Sequence, residues 1–280
     1  MSDTHSLCLK DISVYRVTVM MGQRLKARNR GVAADPYRNL VNADDRDVIA
    51  WTDAAGDART SVADARCLRH GLESARMVRR PVKYQHRRNY EGYYWCAGSG
   101  QSVWYESMTE YSVLMELDHT TDLAKVAAQP FCILFADGAR HYPDYFALHS
   151  SGRQVVYDVR PADRVDEKAT VQFEKTRRVC EEVGWGYEVL HGVMGVRRHN
   201  LEWLAGYRHP YVDPGHRERA RILDASTEPV PLAQLAVDLD AVLPAKSLPG
   251  IYHLMWSQDL TYDPSKPLGW RTLIERNHRG

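Results

Sequence analysis

The sequence predicts an α/β protein in which a mixed sheet flanked by helices is followed by a smaller helical domain, and three observations carry that expectation. Between residues 81 and 194, apolar runs of strand length and amphipathic stretches of helix length come in the order strand, helix, several strands, helix, strand. Apolar residues make up 44% of the 280, enough to bury a substantial core. After Gly195 the strand-like runs give way to helical ones.

Residues 1–80 are polar and rich in Arg and Asp, with short apolar runs such as Ile12 to Met21 that suggest a β-rich region of open role. YYWCAG (93–98) and SVWY (102–105) read as strands, and CAGSGQS between them as a turn, because it lacks the GK[ST] ending of a phosphate loop. An amphipathic helix follows from Glu106 to Asp118, then the strand FCILFA (131–136). The stretch HYPDYFALHSSGRQVVYDVRP (141–161) reads as a β-hairpin, with Ser150, Ser151 and Gly152 as its turn. A helix over Asp166 to Val183 ends at a glycine cap in GWGYEV and leads into the strand YEVLHGV. From 195 on, VRRHNLEWLAGY, PGHRERARILDA and PLAQLAVDLDAVL are helical, and IYHLMWSQDLTYDPSKPLGW supplies a two-stranded wing. Together they make a winged-helix-like module. The expected divisions are 1–80, 81–194 and 195–280.

The formal net charge is +1, so the overall balance calls for no polyanionic partner, and local patches matter more than the total. The five cysteines are widely separated, without CxxC or zinc spacing, and are expected to be reduced and structural. The first residues lack a signal-peptide pattern, and no apolar run is of membrane-spanning length, so the expectation is a cytoplasmic, nucleoid-associated protein. No HExxH and no Gly-x-Ser-x-Gly occurs, which removes two common hydrolase chemistries.

The hairpin raises the functional question. A turn centred on Ser151 sets Asp144 opposite Asp158, with Val156, Asp158 and Arg160 on one face of the second strand. Carboxylates at directly opposed positions lie about 5 Å apart at Cβ and repel unless a cation sits between them. A divalent metal such as Mg²⁺ is one candidate; Arg160, neutralising the pair, is the other. On the preceding helix, Glu110 falls on the same stripe as Val113, Leu114 and Leu117, where a solvated charge does not belong, although acids in a first turn also favour the helix dipole.

SVWYESMTEYSVLMELD, KVAAQPFCI, ARHYPDYFALHSSGRQVVYDVRPADR and FEKTRRVCEEVGWGYEVL together resemble the TnsA-like endonuclease subunits of heteromeric transposases. These belong to the restriction-endonuclease-like PD-(D/E)xK nucleases. The resemblance is strong over roughly residues 78–208 and weaker through HLMWSQDL and DPSKPLGW. It implies a restriction-endonuclease-like mixed sheet and hydrolysis of a DNA phosphodiester with Mg²⁺ or Mn²⁺. The implied metal ligands are Glu110, Asp144, Asp158 and the carbonyl of Val159, and Arg160 stands where lysine is usual. Arginine stays protonated, so it does not act as a base; it holds the phosphate, or a lysine of the next helix, Lys168 or Lys175, reaches in. The resemblance also implies cutting at transposon 5′ ends beside a DDE transposase (TnsB-like) and an ATPase regulator (TnsC-like), with oligomeric state open.

Basic residues gather at Arg24, Lys26, Arg28 and Arg30, at Arg76, Arg79, Arg80, Lys83, Arg87 and Arg88, and at Arg197 and Arg198. The second group, interleaved with Tyr84 and Tyr90, is the leading candidate for tracking a DNA backbone, with solvated surface as the alternative. Two other functions stay open at this level. One is a catalytically inactive DNA-binding or assembly subunit in which Arg160 pairs with the two aspartates; the other is a stand-alone DNA-processing or defence nuclease.

Overall fold

The computed structural model describes Tyr37 and residues 40–42, 45–78 and 90–277. The strand expected over Ile12 to Met21, the basic group at 24–30, and Arg79, Arg80, Lys83, Arg87 and Arg88 lie outside the described residues.

The described chain is mixed α/β. In order it forms β1 (Val48–Thr52), β2 (Ala58–Val62), β3 (Gly92–Cys96), β4 (Gln101–Tyr105), α1 (Met108–Thr120), β5 (Leu123–Ala128), β6 (Phe131–Leu134) and β7 (Arg140–His141). There follow β8 (Tyr145–His149), β9 (Gln154–Val159), α2 (Glu167–Val183), β10 (Gly186–Leu190), α3 (Gly195–Ala205) and α4 (Gly215–Asp224). The last elements are β11 (Val230–Pro231), α5 (Leu232–Leu239), α6 (Leu248–Trp256), β12 (Leu260–Thr261) and β13 (Leu273–Arg276).

The central sheet has the order β10-β9-β8-β5, with β5, β8 and β9 antiparallel in sequence and β10 parallel to β9. A parallel neighbour needs a crossover, which α2 supplies. Side-chain alternation divides the sheet between two cores. Val126, Ala147, Val155, Tyr145 and Tyr157 face α1 and the carboxy-terminal helices, whereas Phe146 and Val156 face Val179, Cys180 and Val183 of α2. The second core also takes Phe131, Ile133, Ile49 and Trp51 from a second sheet of order β2-β1-β6-β7.

The helix ends follow from local chemistry. Ser107 caps α1 by accepting from the Glu110 amide at 3.2 Å, and Asp166 caps α2 by accepting from the Ala169 amide at 2.8 Å. Gly184 stops α2 in the left-handed conformation (φ +93°) that its lack of a Cβ permits, as the GWGYEV reading expects.

Three expectations are corrected. The division near residue 80 is crossed by β1, which pairs with β6 from Val48↔Leu134 to Trp51↔Phe131. The division at 195 is crossed by one apolar cluster that runs from Tyr94 through α1 to Ile274. The segment IYHLMW belongs to α6 and not to a wing strand. All six of these residues are buried, so apolarity on every side is satisfied by a helix packed on several neighbours. The wing strands are β12 and β13, in a small sheet of order β11-β13-β12. The CAGSGQS turn and four buried, unbridged cysteines (Cys67, Cys96, Cys132, Cys180) are as expected. Among the described residues no helix is long and apolar enough to cross a membrane.

Candidate active site

The hairpin register is the one its turn implies: Phe146↔Val156 and Tyr145↔Tyr157 are paired, so the next opposed positions are Asp144 and Asp158. The ladder stops there because β8 departs after Pro143-Asp144. The Asp144 carboxylate then takes the part of the missing carbonyl, its Oδ2 accepting from the Val159 amide at 2.7 Å. On the other side the β5–β8 pairing ends at Ala128↔Tyr145, and the Gln129 amide donates to the Asp144 carbonyl at 2.8 Å. Gln129, Asp144 and Asp158 therefore stand in a row across three adjacent strands.

The two aspartates differ sharply in surroundings. Asp158 is 2% exposed, on the side of the sheet covered by α2. Its Oδ1 and Oδ2 lie 2.9 and 2.8 Å from His141 Nε2, and the Tyr187 hydroxyl donates to Oδ2 at 2.6 Å. The other ring nitrogen of His141 lies 2.6 Å from Gln172 Nε2 on α2. Asp158 is thus sealed into a buried polar network. Asp144 is only partly buried, and the Val159 amide is the sole hydrogen-bond donor to its carboxylate among the described residues. Desolvation, followed by the charges of Asp158 and Glu110, holds the Asp144 carboxyl well above the usual carboxylate range.

Glu110 completes a capping box. Its Oε1 accepts from the Ser107 hydroxyl at 2.9 Å, its Oε2 accepts from the Glu106 amide at 2.7 Å, and the Tyr145 hydroxyl donates to Oε2 at 3.4 Å. The S-x-x-E spacing that gives this cap was legible in ESMTE and accounts for an acid on an apolar stripe. Burial, opposed by these hydrogen bonds, raises the Glu110 carboxyl above its ordinary value.

Arg160 does not neutralise the aspartates. Its Nε donates to the Arg164 carbonyl at 2.8 Å and its Nη2 lies 4.0 Å from Asp166, which corrects the arrangement in which it pairs with Asp144 and Asp158. The turn at Ala162–Arg164 folds back beneath Arg160 and captures the guanidinium. Lys175 pairs with Asp137 and lies over the Phe135 ring, so it does not reach the acids. Arg197 pairs with Glu116, and Arg198 with Glu202 at 2.9 Å, which leaves their charge locally compensated. Lys168 is exposed in the first turn of α2.

Sequence reasoning missed His141, Tyr187 and Gln129, and reached Glu106 only as the start of the ES-x-x-E run before Glu110. Gln129 and Glu106 are joined by Nε2 to Oε2 at 3.3 Å, and the Glu106 charge is felt by both Asp144 and Glu110. The signal for Gln129 was the single polar residue between two apolar strands in KVAAQPFCI. For His141 it was a histidine three positions before Asp144, inside a buried hairpin.

The arrangement offers carboxylates and an amide, all hard oxygen donors suited to Mg²⁺ or Mn²⁺. Among the described residues no three His, Cys, Asp or Glu side chains converge on one point. Mg²⁺ uses one or two carboxylates and fills its sphere with water and phosphate, so Asp144 and Glu110 fit it without Asp158. One orphaned buried oxygen supports the fit: Gln129 is 5% exposed and its Oε1 has no hydrogen-bond partner among the described residues. No protein-family model matches the chain, and no curated protein matches it in sequence.

Proposed function

We propose that the chain is a metal-dependent endonuclease, TnsA-like, that hydrolyses DNA phosphodiester bonds with Asp144 as the central acid. The observation that carries this reading is the concentration of negative charge on Asp144. Desolvation, then Asp158 from the neighbouring strand and Glu110 from α1, raise its proton affinity, and among the described residues no cationic side chain is hydrogen-bonded to it. Acids gathered in this way attract a divalent cation, which competes with the proton for the same oxygens. The order α1, antiparallel β5-β8-β9, α2, parallel β10 is the order expected of a restriction-endonuclease-like core, which supports the resemblance. The segment α4, β11, α5, α6, β12, β13 likewise follows the order of a winged helix. Its α6, which would enter a groove, is buried over six of nine residues and acts as scaffold.

In this reading a bound Mg²⁺ supplies charge neutralisation and an acidified water. Asp144, whose carboxylate takes one hydrogen bond from the Val159 amide, and Glu110 would hold it. Asp158 anchors β9 through His141 and Tyr187 rather than serving as a ligand. Arg160 exchanges the Arg164 carbonyl for the scissile phosphate, where its fixed charge stabilises the transition state. The partners are DNA and, from the resemblance, a DDE transposase with an ATPase regulator.

A second reading, an assembly subunit without chemistry, is favoured by the sealing of Asp158 and the capture of Arg160. Calorimetric titration with Mn²⁺, paired with nicking of supercoiled DNA, separates the two. The nuclease reading expects Mn²⁺ binding and nicking that Asp144→Ala abolishes while the fold remains. A wild-type chain that gives no heat with Mn²⁺ overturns it.

A further inference from the structure

We infer that Gln129 is a neutral oxygen ligand of the same cation site, an inference that rests on the reading just given. Three observations meet at this residue. Its backbone amide is bonded to the Asp144 carbonyl at 2.8 Å, and its side-chain Nε2 lies 3.3 Å from Glu106 Oε2, so the amide is bracketed by acids of the candidate site. It is 5% exposed, and its Oε1 is buried without a hydrogen-bond partner among the described residues. Its backbone is left-handed (φ +42°), one of only two non-glycine positions with positive φ among the described residues.

Each of these has a cost in the absence of a ligand. A buried carbonyl oxygen gives up its water and needs a donor, yet the side-chain partner of Gln129 among the described residues, Glu106, and the side chain opposed to it, Asp144, are carboxyls that accept when ionised. Turning the amide over does not help, because it sets Oε1 against Glu106 Oε2, two acceptors in contact. Strain at a non-glycine left-handed residue persists where the surroundings over-determine it, and such residues gather at ligand sites. A divalent cation satisfies the orphaned oxygen and the repelling carboxylates together. The amide adds a coordination position without adding charge, so a site built on Asp144, Glu110 and Gln129 leaves room for an anionic phosphate. Other buried unpaired atoms among the described residues, on His70, Glu73 and Ser99, are not hydrogen-bonded to any of these acids.

The test is calorimetric titration of the full chain with MnCl₂, for wild type, Asp144→Ala, Gln129→Met and Gln129→Glu, with circular dichroism on each. Methionine keeps the length and removes the oxygen; glutamate keeps an oxygen and removes the N–H that Glu106 accepts. A ligand role expects Gln129→Met to weaken Mn²⁺ binding by about tenfold or more, and Gln129→Glu to keep or exceed wild-type affinity. Equal weakening by both variants means the Glu106 contact matters and the oxygen does not, which overturns the inference. Gln129→Met binding as wild type also overturns it, while Asp144→Ala still reports on the site itself. If wild type binds no Mn²⁺, the site and this ligand fall together. Should the methionine variant not fold, the glutamate variant decides alone: retained affinity supports the ligand role and lost affinity refutes it.

Discussion

Asp158→Ala distinguishes an anchor from a ligand by its effect on stability. Asp158 is 2% exposed and receives contacts from His141 Nε2 and the Tyr187 hydroxyl. Truncation leaves the His141 N–H, on a residue 8% exposed, with nowhere to donate, at a cost of about 1–3 kcal/mol. Tyr187 is only half-buried and turns partly to water, which adds about 1 kcal/mol. Relief of the repulsion on Asp144, the directly opposed position, offsets part of this, roughly 1 kcal/mol if water screens the pair. The net loss is about 1–3 kcal/mol, and at about 2–4 °C per kcal/mol for a domain of this size the midpoint falls by about 2–12 °C. Thermal unfolding in EDTA reads this directly, and Mn²⁺ calorimetry below the midpoint reads the site. The anchor role expects a lowered midpoint with Mn²⁺ binding retained. An unchanged midpoint with Mn²⁺ binding abolished would refute the reasoning and return Asp158 to the ligand set.

Three further outcomes are expected. Asp144 and Glu110 hold protons more tightly in the folded than in the unfolded chain. The stability they contribute is therefore complete below the ordinary carboxylate range and is lost as pH rises through their raised folded values. In EDTA, thermal midpoints from about pH 4 to about pH 8 fall more steeply for wild type than for Asp144→Asn, and saturating Mn²⁺ closes the gap. Gly192→Ala brings a Cβ within 2.7 Å of Thr109 Cγ2 at a φ of +88°. It is expected to destabilise by about 1–3 kcal/mol in denaturant titration and, by displacing the first turn of α1, to weaken Mn²⁺ binding through Glu110. Lys168→Ala lowers DNA affinity and reduces the slope of log K against log salt by about one, measured by fluorescence anisotropy; an unchanged slope removes Lys168 from the DNA contacts.

The sequence by itself determined the hairpin, its register and the helices on either side of it. Ser150-Ser151-Gly152 fixes the hairpin turn, and a two-residue alternation then leaves one way to oppose Asp144 and Asp158, as the Tyr145↔Tyr157 pairing bears out. The capping serine and aspartate, the Gly184 stop and the amphipathic stripe of α1 are likewise local, since each depends on residues within one or two turns. What only the tertiary structure decided is where each polar group spends its hydrogen bonds. Asp158 and Asp144 are opposed in register, yet His141 arrives from β7 and Tyr187 from β10 to seal one of them, and no local pattern in the hairpin encodes those arrivals. Arg160 turned to a carbonyl four residues on because the following turn brought it within reach. Gln129 came beside Asp144 through pairing of strands separated by the inserted β6 and β7. Periodicity encodes which face a side chain takes; the partner it meets there is set by long-range packing of segments far apart in the chain, and it is that packing that orients the acids.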